Sequence, residues 1–223
     1  MTLEQFFKEV PRAALAFSGG TDSALLLWAA KTYGCDVRAY YVNTVFQPAF
    51  ELADAQKLAK ELEVPMTVVE ADVLAVPEAA VNGPRRCYYC KKALFTTLWK
   101  RAAEDGYTVL LDGTNASDDA GDRPGMQALR ELEVRSPLRE CGITKDQVRQ
   151  MSKEAGLFTW DKPAYACLAT RVPTGTAITR EALEKVERGE NALFKLGFTD
   201  FRVRLMGDAA RIQLPEAQME RAV

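Results

Sequence analysis

Five apolar residues, Ala13-Ala14-Leu15-Ala16-Phe17, run into Ser18-Gly19-Gly20-Thr21-Asp22-Ser23, and that junction runs into a longer apolar stretch from Ala24 to Ala30. A short run that is apolar on both of its alternating faces fits a strand covered on both sides, as in a parallel sheet. The second stretch is too long for another buried strand and is built of helix formers, with Asp22 or Thr21 expected to cap its first turn. Between the two, Gly19 and Gly20 allow backbone angles closed to other residues and leave room for a ligand against the main chain. The first amides of a helix have no internal partner, and the helix dipole favours negative charge beside them. Those amides, the hydroxyls of Ser18, Thr21 and Ser23 and the lack of bulk make a phosphate cradle. Asp22 is placed to help hold a Mg2+ ion that shares the phosphates. The junction lacks the Lys-Ser/Thr ending of the kinase and GTPase loop, and it is not G-x-G-x-x-G.

Strand-like runs recur at Val37–Asn43, Met66–Ala71 and Thr108–Asp112, with helical patterns at Ala49–Glu63 and Lys91–Glu104 between them and Gly34, Pro65 and Gly106 as punctuation. Alternation of this kind predicts an α/β fold: a parallel sheet with helices on both faces, joined by right-handed crossovers. Ligands bind beyond the carboxyl ends of such strands. One rim therefore carries Ser18–Ser23, the segment after Asn43, and Asp112-Gly113-Thr114-Asn115, which makes Gly113 and Thr114 candidate nucleotide contacts. Thr144-Lys145-Asp146-Gln147 reads as a capping box opening a helix to about Ala155, its charges taken as a solvated face. After Pro163 the texture changes to a polar helix at Arg180–Leu196 and a hairpin-like Phe198–Leu214. The boundaries expected are 1–165 for a nucleotide-binding domain and 166–223 for a small α+β C-terminal portion that binds substrate or joins subunits.

The chain has 223 residues, 48% of them hydrophobic, enough for one sizeable domain with an appendage. A formal net charge of −2 argues against a non-specific nucleic-acid binder. No apolar run approaches membrane-spanning length and no signal peptide is visible, so a cytoplasmic protein with no membrane partner is expected. Histidine is absent altogether, which removes Ser-His-Asp chemistry, Cys-His nucleophiles and histidine-based zinc sites. A reaction whose nucleophile is already ionised at neutral pH, and in which the enzyme mainly positions it and stabilises phosphate charge, needs none.

Cys87-Tyr88-Tyr89-Cys90 is a C-x-x-C standing before the helix expected from Lys91, and by itself fits a redox pair, half of a zinc site or part of an iron–sulfur site. A second C-x-x-C for a four-cysteine zinc ribbon is missing. Cys167 lies in a loop, Lys162-Pro163-Ala164-Tyr165-Ala166-Cys167-Leu168-Ala169-Thr170-Arg171, rich in functional residue types. Cys35 and Cys141 read as packing residues, as most free cysteines are.

The junction resembles the PP-loop of ATP pyrophosphatases, which grip the pyrophosphate half of ATP and leave AMP on a substrate oxygen. The resemblance narrows when other pieces join it in order: Arg86-Cys87-Tyr88-Tyr89-Cys90-Lys91, Asp112-Gly113-Thr114-Asn115, Arg123-Pro124-Gly125, Arg135-Ser136-Pro137-Leu138, Trp160-Asp161-Lys162-Pro163 and Cys167-Leu168-Ala169-Thr170-Arg171. Together they are similar to the LarE family, sulfur transferases of nickel-pincer nucleotide biosynthesis. That resemblance implies ATP with Mg2+, a pyridinium dicarboxylate mononucleotide substrate, adenylation of a ring carboxylate and its conversion to a thiocarboxylate. It also implies Cys87, Cys90 and Cys167 as a three-cysteine [4Fe–4S] site, with the sulfur donor unidentified, and a homo-oligomer. One branch of the family instead sacrifices the sulfur of a single cysteine matching Cys167. Arg202 and Arg204, two apart on one strand face, match a phosphate-binding pair in the family, and Lys91, Lys92, Arg123 and Arg171 are further candidates for substrate contact. Gln213 stands where the family often has an acid, and Glu190 is a weak candidate. A tRNA-thiolating PP-loop enzyme and a non-catalytic nucleotide- or metal-binding module are the competing readings.

Overall fold

The computed structural model describes residues 1–118 and 124–222. Strand β1 (Arg12–Ala16) lies inside a parallel sheet of order β3-β2-β1-β4, with β2 spanning Asp36–Asn43, β3 Met66–Glu70 and β4 Leu110–Leu111. Its register pairs Arg12 with Asp36 and Ala16 with Tyr40 on one side, and Ala14 with Leu110 on the other. Ala13, Ala14 and Leu15 are fully buried, so both faces of β1 are covered as its unbroken apolar run predicts.

The helices, in chain order, are α1 (Leu3–Glu9), α2 (Thr21–Thr32), α3 (Ala49–Glu61), α4 (Pro77–Ala80), α5 (Arg86–Glu104), α6 (Pro124–Glu131), α7 (Pro137–Glu140), α8 (Lys145–Glu154) and α9 (Arg180–Lys195). Helix α2 is apolar round most of its circumference and is buried accordingly, with Leu25, Leu26 and Leu27 at 0% exposure. It shares one core with α1, α3 and the odd-facing residues of β1 and β2, while Ala14, Tyr40 and Val42 pack against Leu98 and Ala102 of α5 on the opposite face. Helices thus cover both faces, and the sheet is the α/β arrangement expected.

Strand β4 is two residues long, shorter than the Thr108–Asp112 expected. After Leu111 the backbone bonds go to Arg135: the Arg135 amide donates to Leu110 O at 3.0 Å and the Asp112 amide to Arg135 O at 2.9 Å. A single residue from a distant segment completes the sheet edge, which no local pattern announces. Strands β5 (Arg202–Met206) and β6 (Ala209–Gln213) form a separate antiparallel hairpin beside α9, as the alternation of 198–214 suggests. Among the described residues, no helix is long and apolar enough to cross a membrane.

Candidate active site

The turn after β1 arrives at α2 with Gly20 as N-cap, in extended backbone and with no side chain to bond the helix amides. This corrects the capping expected of Asp22 or Thr21, both of which lie inside the first turn. Their side chains are engaged elsewhere: Thr21 Oγ1 donates to Thr159 O at 2.9 Å, and Asp22 Oδ1 accepts from Asn115 Nδ2 at 2.9 Å. The helix terminus is left bare toward the rim, which suits an anion. Gly19 takes φ +71°, and a Cβ there would stand 3.1 Å from the Ala55 backbone, so α3 closes down on the turn. Ser18 and Ser23 face each other across the turn with hydroxyls 3.1 Å apart, and the Gly20 amide donates to Ser18 Oγ at 3.3 Å.

Gly113 lies against the start of α2. A Cβ on it would meet the Ser23 amide nitrogen at 2.9 Å, closer than backbone tolerates. Gly113→Ala is therefore expected to destabilise the fold by about 1–3 kcal/mol and to weaken ATP binding, read by urea unfolding and calorimetry; wild-type values in both would show that the contact relaxes freely. Next to it the buried carboxylate of Asp112 accepts from Thr114 Oγ1 at 2.5 Å and Ser136 Oγ at 2.6 Å. A cavity of about 310 Å³ opens between these elements, lined by Ser18, Gly20, Asp22, Ser23, Gly113 and Lys91 among others. The Lys91 stem passes over Gly125, where a Cβ would meet its Cδ at 3.0 Å. A smaller cavity of about 150 Å³ adjoins it at the ends of β1 and β2, bounded by Phe17, Ser18, Val42, Glu51, Phe95 and Leu98. Burial pushes the Glu51 carboxyl up to about 7; Asp54 adds to the rise, while Lys162 and Arg171 oppose it.

The three cysteines expected from the resemblance lie on a second set of elements. Helix α5 begins at Arg86, so Cys87 and Cys90 sit in its first turns and not before it, a correction to the helix start at Lys91. Cys87 is exposed, and Cys90 and Cys167 are half-buried against one apolar cluster. Burial pushes the Cys90 thiol up to about 12, and the neighbouring Cys167 and Cys87 add to it. Cys167 is also raised chiefly by burial, with the Arg86 guanidinium pulling the other way. Thiols within electrostatic reach of one another are the donor chemistry of an iron–sulfur site. Among the described residues, however, no group of three or more Cys, Asp or Glu side chains is drawn close enough to hold a metal ion. The ligand set resembles that of a cluster in kind and number but is not gathered to ligand spacing.

A clamp missed at the level of sequence joins the two cysteine segments. Arg86 Nη1 donates to Asn82 Oδ1 at 2.7 Å and to Ala169 O at 2.9 Å, and Arg86 Nη2 stands 3.7 Å from Cys87 Sγ. Asn82 Nδ2 reaches Pro173 O at 2.9 Å and Thr176 O at 3.1 Å, from a left-handed backbone at φ +59°. An asparagine near a helix start signals a cap, and nothing local shows it reaching ninety residues ahead. Asn82→Ala is expected to cost about 2–3 kcal/mol and to speed alkylation of Cys167 in the native protein, followed by mass spectrometry. An unchanged labelling rate together with full stability would mean the clamp is idle.

The Cys167 loop lies on the same rim as the phosphate turn. The Leu168 amide donates to Phe46 O at 2.8 Å, on the segment leaving β2, and Lys162 Nζ meets Asp54 of α3 at 2.7 Å. Arg202 Nη2 donates to Ala164 O at 2.6 Å and Arg204 Nη1 to Thr170 O at 2.8 Å, so both arginines bind the loop's backbone. Arg171 is buried at 1% exposure and ion-paired to Glu190 at 2.8 Å, with Nη1 on Ala166 O at 2.8 Å. Its donors are spent inside the protein, and Glu190 is its counter-ion. Lys92 pairs with Glu131 at 2.8 Å on the surface of α5. Arg123 lies outside the described residues. Cys35 is buried with its thiol 3.3 Å from Val10 O, and Cys141 packs against the core of α1 and α2.

The sequence profile of the family described as queuosine biosynthesis protein QueC matches residues 12–81, the segment holding the phosphate turn. An uncharacterized protein of Synechocystis sp. is 41% identical across 99% of this chain and 83% of its own length. Pyridinium-3,5-bisthiocarboxylic acid mononucleotide synthase of Lactiplantibacillus plantarum is 37% identical across 98% of this chain and 80% of its own. A tRNA-specific 2-thiouridylase of Clostridium botulinum (strain Langeland) is more distant, 24% identical over 79% of this chain and 60% of its own. With near-full-length identity to the Lactiplantibacillus synthase joined to a bare-capped PP-loop on a parallel sheet, the chain belongs to the LarE family of the PP-loop superfamily and is an ATP-dependent sulfur transferase.

Proposed function

We propose that this transferase acts on pyridinium-3,5-dicarboxylate mononucleotide for nickel-pincer nucleotide biosynthesis. The observation that carries the reading is the position of the Cys167 loop, hydrogen-bonded through Leu168 to Phe46 on the rim that also bears the phosphate turn. In the first step a ring carboxylate oxygen attacks the α-phosphorus of ATP, the bond to the bridging oxygen breaks, and pyrophosphate leaves toward the α2 amides, Ser18 and Ser23. Thr21 anchors that turn, and Asp22 is the carboxylate available to Mg2+. The apolar cavity between Phe17, Phe95 and Leu98 suits the adenine ring. In the second step a sulfide-level nucleophile attacks the acyl carbon, AMP leaves with the C–O electron pair, and a thiocarboxylate remains.

The mononucleotide's phosphate and carboxylates call for cations, which Lys91, Arg202 and Arg204 supply; Arg171 acts through the loop that it braces. A [4Fe–4S] cluster on Cys87, Cys90 and Cys167 would supply an iron free of protein ligands, so that external sulfide is delivered without loss of a cysteine sulfur. Residues 1–165 serve as the ATP-binding portion and 166–223 as the substrate portion of an assembly of several copies.

Pyrophosphate release from ATP that depends on the mononucleotide, and falls at least ~10²-fold in Asp22→Ala, is the expected result; release indifferent to the mononucleotide would overturn the acceptor. Iron and sulfide measured after anaerobic reconstitution test the thiols: loss of both in Cys87→Ala supports the cluster. A metal-free protein whose Cys167 loses one hydrogen sulfide per turnover would replace it with sacrificial donation.

A further inference from the structure

The capping box of Thr144 fixes Lys145 as the first residue of α8, with the Gln147 amide on Thr144 Oγ1 and the Thr144 amide on Gln147 Oε1. A cation at a helix N-terminus opposes the helix dipole, and a solvated lysine would sit better at the other end. Lys145 is not solvated in that way: its Nζ lies 2.5 Å from Asp22 Oδ2, with the side chain 31% exposed. The same two residues are tied by a second route. The Lys145 amide donates to Ser117 Oγ at 3.0 Å, the Ser117 amide to Asn115 Oδ1 at 2.8 Å, and Asn115 Nδ2 to Asp22 Oδ1 at 2.9 Å. A closed circuit thus delivers an ammonium group to the carboxylate that lines the phosphate cavity. Among the described residues lining that cavity the cation is Lys91, beside the acids Asp22, Asp112 and Asp118. A departing pyrophosphate carries several negative charges, and a second ammonium group beside Asp22 adds to the compensation that Lys91 and Mg2+ give it.

We propose that Lys145 is a pyrophosphate-binding residue of the ATP-splitting step: its ammonium shares Asp22 with the metal and donates to oxygens of the leaving group. The flexible four-carbon stem and its three rotatable donors allow the swing from carboxylate to phosphate. The inference rests on cleavage of ATP to AMP and pyrophosphate, and is independent of which acid accepts the AMP.

The experiment titrates the full chain with magnesium pyrophosphate and, separately, with AMP, in wild type, Lys145→Met and Lys145→Arg. Lys145→Met is expected to weaken pyrophosphate binding about tenfold or more and to leave AMP binding unchanged, with Lys145→Arg recovering most of the loss. Unchanged pyrophosphate affinity in Lys145→Met, or equal weakening of pyrophosphate and AMP, would overturn the proposal; the second outcome marks a structural partner of Asp22. If Lys145→Met is too unstable to titrate, Lys145→Gln takes its place and the same comparison decides. No acceptor acid enters the assay, so failure here is distinct from a wrong substrate.

Discussion

Cys167→Ser is expected to make on the order of 10³-fold less thiocarboxylate while still exchanging pyrophosphate with ATP in the presence of the acceptor acid. The separation follows from where the two halves of the site are anchored. In the proposed reaction pyrophosphate and adenosine face the turn at Ser18–Ser23 and the ends of β1 and β2, and no hydrogen bond described for that turn involves the Cys167 sulfur. The loop backbone is held through Leu168, Ala166 and Thr170 by Phe46 O, Arg171 and Arg204, and those bonds survive a change of sulfur to oxygen. A hydroxyl is nearly isosteric but neither carries sulfide nor becomes a thiolate, so the second step is expected to fall by on the order of 10³-fold or more. Thiocarboxylate is followed by mass spectrometry and the first step by isotope exchange. Product at near wild-type rate would remove Cys167 from the chemistry, and loss of exchange as well would show that the substitution had damaged the ATP half.

The largest loss of stability is expected from Arg171→Leu. Arg171 and Glu190 side chains are 0% and 2% exposed, 2.8 Å apart, with a second contact of 3.3 Å between Nη2 and Oε2. Glu190 also accepts from the Val203 amide at 2.9 Å and from the Tyr165 hydroxyl. Removing the guanidinium strands a buried carboxylate, which costs about 3–5 kcal/mol. The pH dependence has a definite sign. Burial already pushes the Glu190 carboxyl upward, and without Arg171 its folded value rises further above the unfolded value near ~4.3. Between those two values the folded state keeps a proton that the unfolded chain has lost, so stability declines as pH rises through the window. The deficit of Arg171→Leu should be larger at pH ~8 than at pH ~5, and adding Glu190→Gln should restore part of it. Urea unfolding at both pH values gives the comparison. Equal deficits would mean that Glu190 keeps its charge compensated by other groups.

The fold was legible because it rests on local signals. An apolar run, a glycine turn and a longer apolar run specify strand, loop and buried helix, and Thr144 with Gln147 marks α8 to within a residue. What could not be read depends on pairings across the chain. Strand β4 is short because Arg135 takes over its hydrogen bonds, and α5 starts early because its first turn is bound through Arg86 to the Cys167 loop. Lys145 reads as surface charge because it is followed by Asp146 on a polar helix, and only the approach of α8 to the phosphate turn gives it Asp22. Arg171 carries the composition of a ligand-binding residue, yet its partner Glu190 stands on a helix whose polar pattern looks solvated. Glu51 likewise lies on a helix of ordinary texture, and its raised proton affinity comes from the elements that fold over it.

The thiol-bearing loop has two owners. Phe46 and Arg86 grip it from the nucleotide side, and Arg202, Arg204 and Glu190 hold it from the hairpin and α9. Hairpin and loop must therefore be inherited together. In the proposed reaction, a chimera that imports a relative's β5–β6 to change which acid is accepted would also re-aim the Cys167 sulfur, so the whole stretch from Lys162 to Gln213 has to be grafted as one block.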